Sequence, residues 1–349
     1  MSENKLERKL FIKNYDRMVK DLIQETKEGH IILNPDYQRK YIWDNKKASR
    51  LVESILLNIP IPVIYASEQE DSSWNIVDGV QRLKSLERFV NNDFKLNGLE
   101  VLYELNGKKF IELDEKIQQK LLRGELRVIL LLNESDNNIQ FDIFMRLNSG
   151  AVKLTEQELR NCLYRGPLNT MIKDIAEGSE VLKIIFPVRK IDRLQNHELV
   201  LRFLAIKDNF DYTKLCMSNY DGRLKNLLNN FMKKYQDADV IKLNEFKNSF
   251  IDTIDKVYEV YGKDAFRQLG SGKINTPMYD CVMLAFEKYD LQTLITNKNN
   301  ILDMTQKIYN DEKFTQYITK STNNSGQMNG RIKYFIDKME EVVVDASDK

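Results

Sequence analysis

Along the first half of the chain the spacing of hydrophobic positions changes repeatedly. Short β-branched or aromatic runs at Ile31-Ile32-Leu33, Pro62 to Ala66, Trp74 to Val77 and Arg127 to Leu132, bounded by Gly, Pro, Asn or Asp, predict strands. Between them the spacing becomes helical. Leu51, Ile55 and Ile59, behind a capping Asp44, predict a helix ending near Asn58. Leu83, Leu86 and Val90 predict another that begins directly after Asp78-Gly79. Thr155 and Glu158 have the spacing of a capping box, in which each side chain satisfies the other's free backbone amide, and open a helix over Glu156 to Leu163. Asn97-Gly98 and Asn106-Gly107, dipeptides that favour tight turns, predict a small antiparallel excursion between Phe94 and Phe110.

After Gly166-Pro167 the pattern is helical almost throughout. Leu243, Phe246, Phe250, Ile254, Val257 and Tyr261 recur at three- and four-residue steps, the mark of an amphipathic helix that needs a neighbour. Leu194 to Ile206, Arg223 to Tyr235, Met278 to Tyr289 and Ile301 to Tyr309 read the same way. Asn323-Asn324-Ser325-Gly326 predicts an exposed loop before a last helix that begins near Asn329. The fold class is therefore α+β, with a mixed domain over residues 1–166 and an α-helical domain over 167–349.

Composition narrows the chemistry. With 53 basic against 52 acidic residues the net charge is +1, so no global field draws the protein to nucleic acid or to an anionic membrane, and DNA contact would need a local patch. Arg223-Leu224-Lys225 with Lys233-Lys234 is the best such patch in the helical half, although the same residues fit the solvated face of a helix that buries Leu224, Leu227, Leu228 and Phe231. Cys162, Cys216 and Cys281 are odd in number and far apart, which argues against a disulfide framework or a Cys-x-x-Cys site. Apolar runs such as Val128 to Leu132 are far too short to cross a bilayer, and the charged start of the chain has no signal-peptide core. These features predict a soluble cytoplasmic protein with no membrane partner. His30 and His197 are the only imidazoles, too few for a His-rich zinc site or an HNH-type nuclease centre.

Three polar clusters are candidates for function. The predicted strand Trp74 to Val77 runs into Asp78-Gly79-Val80-Gln81-Arg82 and the helical pattern starts at once. Glycine permits a sharp turn, and the first amides of a helix, with the positive end of its dipole, make a seat for phosphate. On this reading Arg82 adds a charge-assisted contact to phosphate, Gln81 bonds a phosphate or a base, and Asp78 holds Mg²⁺ or orients a water. The same pentad also reads as a helix cap followed by a surface arginine. The second cluster, Asn34 to Trp43, alternates strong donors with aromatics: Gln38 and Arg39 suit a nucleotide or DNA phosphate, with Tyr37 or Tyr41 as a stacking face, while Trp43 before a capping Asp44 reads as core. The third, Phe144 to Gly150, contains Arg146, Asn148, Ser149 and Gly150 after a predicted strand. Here Asn148-Ser149-Gly150 also reads as a simple turn, and Arg160 as the partner of Glu156 one helical turn away.

In order along the chain, Tyr37-Gln38-Arg39, Asp78-Gly79-x-Gln81-Arg82 and Arg146-x-Asn148-Ser149-Gly150 followed by Leu154-Thr155-x-x-Glu158-Leu159-Arg160-Asn161 resemble the N-terminal domain family of GmrSD-type restriction enzymes. The resemblance covers about residues 10 to 165. It continues more loosely through His197 to Phe203 and Asn275 to Asp280, which look like the helical half of stand-alone members without an HNH nuclease domain. It implies a ParB- and sulfiredoxin-like fold, and binding and in several members hydrolysis of nucleoside triphosphates with Mg²⁺, coupled to DNA-directed defence against phage. Carried over by position, Asp78, Gln81 and Arg82 would be catalytic, Asp78 would hold the metal, and Tyr37, Gln38, Arg39, Gly79, Arg146 and Asn148 would bind the nucleotide. Val80 departs from the family pattern, which has glutamine there.

Three functions follow as expectations: a nucleoside triphosphatase of a DNA-restriction system; a non-enzymatic ParB-like DNA-binding or adaptor module; and a metal-dependent nuclease, for which Asp36 and Asp78 would have to converge. The partners implied are a nucleoside triphosphate, DNA, a separate effector protein, and a second copy of the chain.

Overall fold

The computed structural model describes residues 9–33, 43–147, 155–187, 194–268 and 272–344. The chain divides into two compact units, Met1–Leu163 and Tyr164–Lys349.

The first unit contains β1 (Ile12–Met18), α1 (Val19–Lys27), β2 (Ile31–Ile32), α2 (Asn45–Leu56), β3 (Ile64–Glu68), β4 (Trp74–Asp78), α3 (Val80–Val90), α4 (Glu115–Leu122), β5 (Glu125–Leu131), α5 (Asn137–Leu147) and α6 (Glu156–Leu163). Its strands form a five-stranded sheet in the order β1-β5-β3-β4-β2. β1 runs antiparallel to β5, β5 parallel to β3, β3 antiparallel to β4, and β4 parallel to β2. Leu126, Val128 and Leu130 of β5 alternate inward and, with Ile64, Ala66 and Ile76, meet the apolar faces of α1, α2 and α3 in one core. The helix starts follow the spacing of their caps: Asp44 accepts from the Lys47 amide at 2.7 Å, and Thr155 and Glu158 exchange bonds of 2.7 and 3.2 Å.

Three local readings need correction. The turns after Asn97 and Asn106 exist, with φ of +66° at Gly98 and +84° at Gly107, but the intervening chain forms no strand pair. Two backbone bonds, Leu96 N to Lys108 O and Gly107 N to Leu96 O, close the loop. The Asn106 side chain then takes up both backbone groups of Leu99 and ends the pairing, and short 3₁₀ turns at Tyr103–Leu105 and Phe110–Glu112 follow. Arg146 does not follow a strand directly: α5 intervenes, and Arg146 lies in its last turn. The Asn323–Gly326 loop is shorter than expected, because Asn324 accepts from the Gln327 amide at 2.8 Å and α16 already begins at Ser325.

β1 carries little hydrophobic alternation and lies at the sheet edge. Asp16 stands opposite Arg127 in register, and their paired bonds of 2.8 and 2.9 Å mark that register.

The second unit contains α7 (Pro167–Gly178), α8 (Glu180–Ile185), α9 (Gln195–Asn209), β6 (Phe210–Asp211), β7 (Cys216–Met217), α10 (Leu224–Lys234), α11 (Val240–Tyr261), α12 (Thr276–Glu287), α13 (Leu291–Thr296), α14 (Lys298–Tyr309), α15 (Glu312–Thr319) and α16 (Ser325–Val344). α12 is buried from Met278 to Phe286 and packs on α9, α11 and α16. Inside it Asp280 accepts two bonds from Arg202 of α9, at 2.5 and 2.6 Å, and one at 2.6 Å from Arg331 of α16. All three side chains are buried, and the two guanidinium groups hold the Asp280 carboxyl below its ordinary range against the opposing effect of burial. In α10, Leu227, Leu228 and Phe231 are buried, and Lys234 pairs with Asp208 at 2.9 Å, so the basic run there serves as the outer face of a packed helix.

Desolvating three charges is costly, and removing one partner leaves the others uncompensated. Asp280→Ala is expected to lower unfolding free energy by about 3–5 kcal/mol, whereas Lys338→Ala, which cuts an exposed pair with Glu341, should change it by less than about 0.5 kcal/mol. Urea unfolding followed by circular dichroism checks both.

Candidate functional site

β4 ends at Asp78, and α3 begins two residues later. Gly79 makes the turn with φ +109°, and a Cβ added there would stand 2.9 Å from Cγ1 of the fully buried Ile64 on β3. Both the backbone conformation and the space therefore demand glycine. Gly79 occupies the N-cap position, and no side chain caps the helix, so Asp78 is not a cap. The first amides of α3 have no intrahelical acceptor, which is a property of every helix start.

Asp78 is half-exposed, while Arg82, one helical turn on, is buried. The guanidinium gives one bond of 2.6 Å to Asp78 Oδ2, one to the carbonyl of Pro62, and longer ones of 3.4 Å to the carbonyl of Val63. Burial draws the arginine's pKa down, and the Asp78 carboxylate opposes that shift. Arg82, expected from the sequence to contact phosphate, has its guanidinium turned inward toward these partners. It fixes one oxygen of Asp78 and clamps the Pro62-Val63 segment that leads into β3. Sequence reasoning missed those two carbonyls. Pro60 and Pro62, each without a backbone N–H, were the available signal, since such a segment cannot join a sheet ladder normally and leaves acceptors for a side chain.

Val80, the departure from the family pattern, is buried in the core of the unit. Gln81 follows it in the first turn of α3. Because β2 is parallel to β4, with Ile31 opposite Trp74, the chain leaves β2 toward the end of the sheet where Asp78 stands. Leu33 is the last described residue before the second polar cluster, and Tyr37, Gln38 and Arg39, with Asp36, lie outside the described residues. Trp43, where the description resumes, packs against the core, with Lys47 Nζ 4.8 Å from its ring centroid.

The third cluster divides. Arg146 is exposed, no hydrogen bond or ion pair joins it to Asp78 among the described residues, and Asn148 lies outside them. The following motif is interior. α6 packs on β4, and Asn75 of that strand donates to the Cys162 carbonyl at 2.8 Å. Arg160 is fully buried, bonded to Glu156 at 2.8 Å and to Gln157 at 3.2 Å, with Phe141 beneath it. These residues brace the strand that carries Asp78.

No group of three or more His, Cys, Asp or Glu able to hold a metal occurs among the described residues. Cys162 and Cys281 are buried free thiols, and burial pushes the Cys281 pKa well up. Among the described residues no helix is long and apolar enough to cross a membrane. The two histidines lie in different units. His30 is exposed, while His197 is buried in the helical unit, where desolvation, aided by Lys173, pulls its pKa down to about 4.

Together these features define a mixed α+β unit in which a glycine turn joins a strand to a helix and carries a carboxylate fixed from behind by a buried arginine. Residues 19–165 match the family model for the GmrSD restriction endonuclease N-terminal domain, so this part of the chain is similar to that domain. No curated protein and no solved structure matches the chain.

Two outcomes follow from this geometry. Gly79→Ala combines a left-handed backbone with a contact on Ile64 and is expected to cost about 1–3 kcal/mol of stability, read as a lowered denaturation midpoint. His197 has a folded pKa below its unfolded value near 6.5, so the unfolded chain takes up the proton first as the medium is acidified. Its contribution is fully present above pH 6.5 and is lost between there and about 4, by up to about 3 kcal/mol. His197→Gln should flatten that part of the stability profile measured by denaturant unfolding at successive pH values.

Proposed function

We propose that the GmrSD-type unit binds a nucleoside triphosphate with Mg²⁺ at the Asp78-Gly79-Val80-Gln81-Arg82 turn and hydrolyses it as part of a DNA-restriction response. The observation that carries the reading is the state of Asp78: a half-exposed carboxylate at the end of β4, held by the buried Arg82, beside the open N-terminus of an eleven-residue helix.

The donor chemistry fits Mg²⁺ delivered with its nucleotide. Such an ion is commonly held by one or two carboxylates, with phosphate oxygens and waters completing the octahedron, so a single protein carboxylate suffices. Asp78 would hold it, and the bound ion would neutralise charge on the transferring phosphoryl group. The chain's own contribution is positional. The amides at the start of α3 receive phosphate oxygens, Gln81 stands in the same turn as a further amide donor, and the Arg82 bond keeps Asp78 from rotating away. Tyr37, Gln38 and Arg39, which follow β2 in the sequence, complete the proposed nucleotide site on the strength of the family resemblance, with Arg146 and Asn148 as further ligands. Coupling to DNA or to a separate effector is part of the same proposal and rests on the family resemblance.

Asp78→Asn preserves size and a hydrogen-bond acceptor for Arg82 while removing the charge that holds the metal. Hydrolysis of ATP or GTP by the variant, followed by phosphate release, should fall by about 100-fold or more, with an unchanged circular dichroism spectrum. Undiminished turnover in the variant, or no Mg²⁺-dependent thermal stabilisation of the intact protein by any of the four ribonucleoside triphosphates, overturns the proposal.

A further inference from the structure

The helical unit holds a cavity of about 690 Å³, within the range of pockets that take small organic ligands. One wall is the first turn of α9, with Leu194, Gln195, Asn196 and His197 all facing the space. Two buried polar atoms there have no hydrogen-bond partner among the described residues: Asn196 Nδ2 and His197 Nδ1. Both residues are more than nine-tenths buried. A buried polar group left unsatisfied costs about 1–3 kcal/mol, and native proteins seldom carry two side by side without something to meet them.

The rest of the wall points to the charge of what would meet them. The N-cap residue of α9 is Leu194, which cannot cap, and no side-chain bond closes the helix start. The amides of a fifteen-residue helix therefore open on the same wall as the two unmet side chains. Lys183, which pairs with Glu180 at 2.7 Å, Arg267 and Lys273 supply three cations beside the two carboxylates of Glu177 and Glu180, an excess of one. The Arg267 guanidinium is tied to the carbonyls of Lys263, Ala265 and Ile185, which fixes its charge in place. Phe186, Leu194 and Ile274 provide an apolar surface. The His197 ring lies 3.7 Å from Glu177 Oε1, too far for a proper hydrogen bond, and burial keeps the imidazole neutral at pH 7. A neutral imidazole always has one N–H to offer.

We infer that this cavity binds a small phosphomonoester, with its phosphoryl group at the start of α9 against Asn196 and His197 and its apolar body against Phe186 and Ile274. A phosphoryl group has three terminal oxygens and up to two negative charges, which matches the number of donors and the cationic excess better than a single carboxylate does. The inference concerns the helical unit alone and does not depend on nucleotide chemistry at Asp78.

Because the chain has two histidines, one in each unit, imidazole resonances give a direct readout. The full-length protein labelled with ¹³C-histidine is titrated with phenyl phosphate, benzoate and benzyl alcohol in turn. The expected result is a saturable shift of the His197 signals with phenyl phosphate, no shift of the exposed His30, weaker binding of benzoate and none of benzyl alcohol. Asn196→Leu should weaken phenyl phosphate by about tenfold or more. Lys273→Gln, at an exposed position, should weaken it by a smaller factor and guards against a folding defect in the first variant. Stationary His197 signals up to millimolar phenyl phosphate, equal shifts at both histidines, or benzoate binding as tightly as phenyl phosphate would each overturn the inference.

Discussion

The N-terminal unit depends on where one guanidinium finds its partners. Arg82 enters the interior from the first turn of α3, and a buried cation is tolerable only with oxygen atoms around it. Those oxygens come from Asp78 at the end of β4 and from Pro62 and Val63 just before β3. One side chain therefore joins the exit of one strand, the entry of its neighbour and the start of a helix. The arrangement leaves Gly79 without room for a side chain, and it leaves Asp78 with one oxygen engaged at the surface edge. In a site so built the charged group that meets solvent is the aspartate, and the arginine sets its direction.

Much of this was legible in advance. Strands β3, β4 and β5 and helices α2, α3 and α6 follow from hydrophobic spacing and from the Asp44 and Thr155 caps, all of which are local signals. The strand-to-helix turn at Asp78-Gly79 was readable for the same reason. The inward direction of Arg82 was not, because its partners at Pro62 and Val63 are about twenty residues away and act through backbone atoms that carry no side-chain signature. β1 was missed because Ile12 to Met18 is an edge strand made stable by pairing with β5 and by the Asp16–Arg127 contact, so its own sequence shows little alternation. The opposite error, a hairpin expected between Phe94 and Phe110, came from true turn residues whose flanking chain is consumed by the Asn106 side chain.

The helical unit teaches a related lesson about motifs. In His197 to Phe203 and Asn275 to Asp280, residues expected from the sequence to extend the resemblance, a buried contact dominates the geometry: Arg202, joined by Arg331, converges on Asp280 of α12. Likewise Glu158 to Asn161 of α6 is buried behind β4. Polar residues in a recognisable pattern thus divide into those that meet a ligand and those that hold the frame, and burial separates the two where spacing cannot.

The placement of Val80 bears on how such a turn can diverge. In this chain that side chain belongs to the hydrophobic core, whereas the family pattern has an amide at the same place. Replacing Val80 by glutamine would bring a polar amide into an apolar core, which is costly unless a hydrogen-bond partner meets it there. The identity of residue 80 is therefore tied to the packing around it.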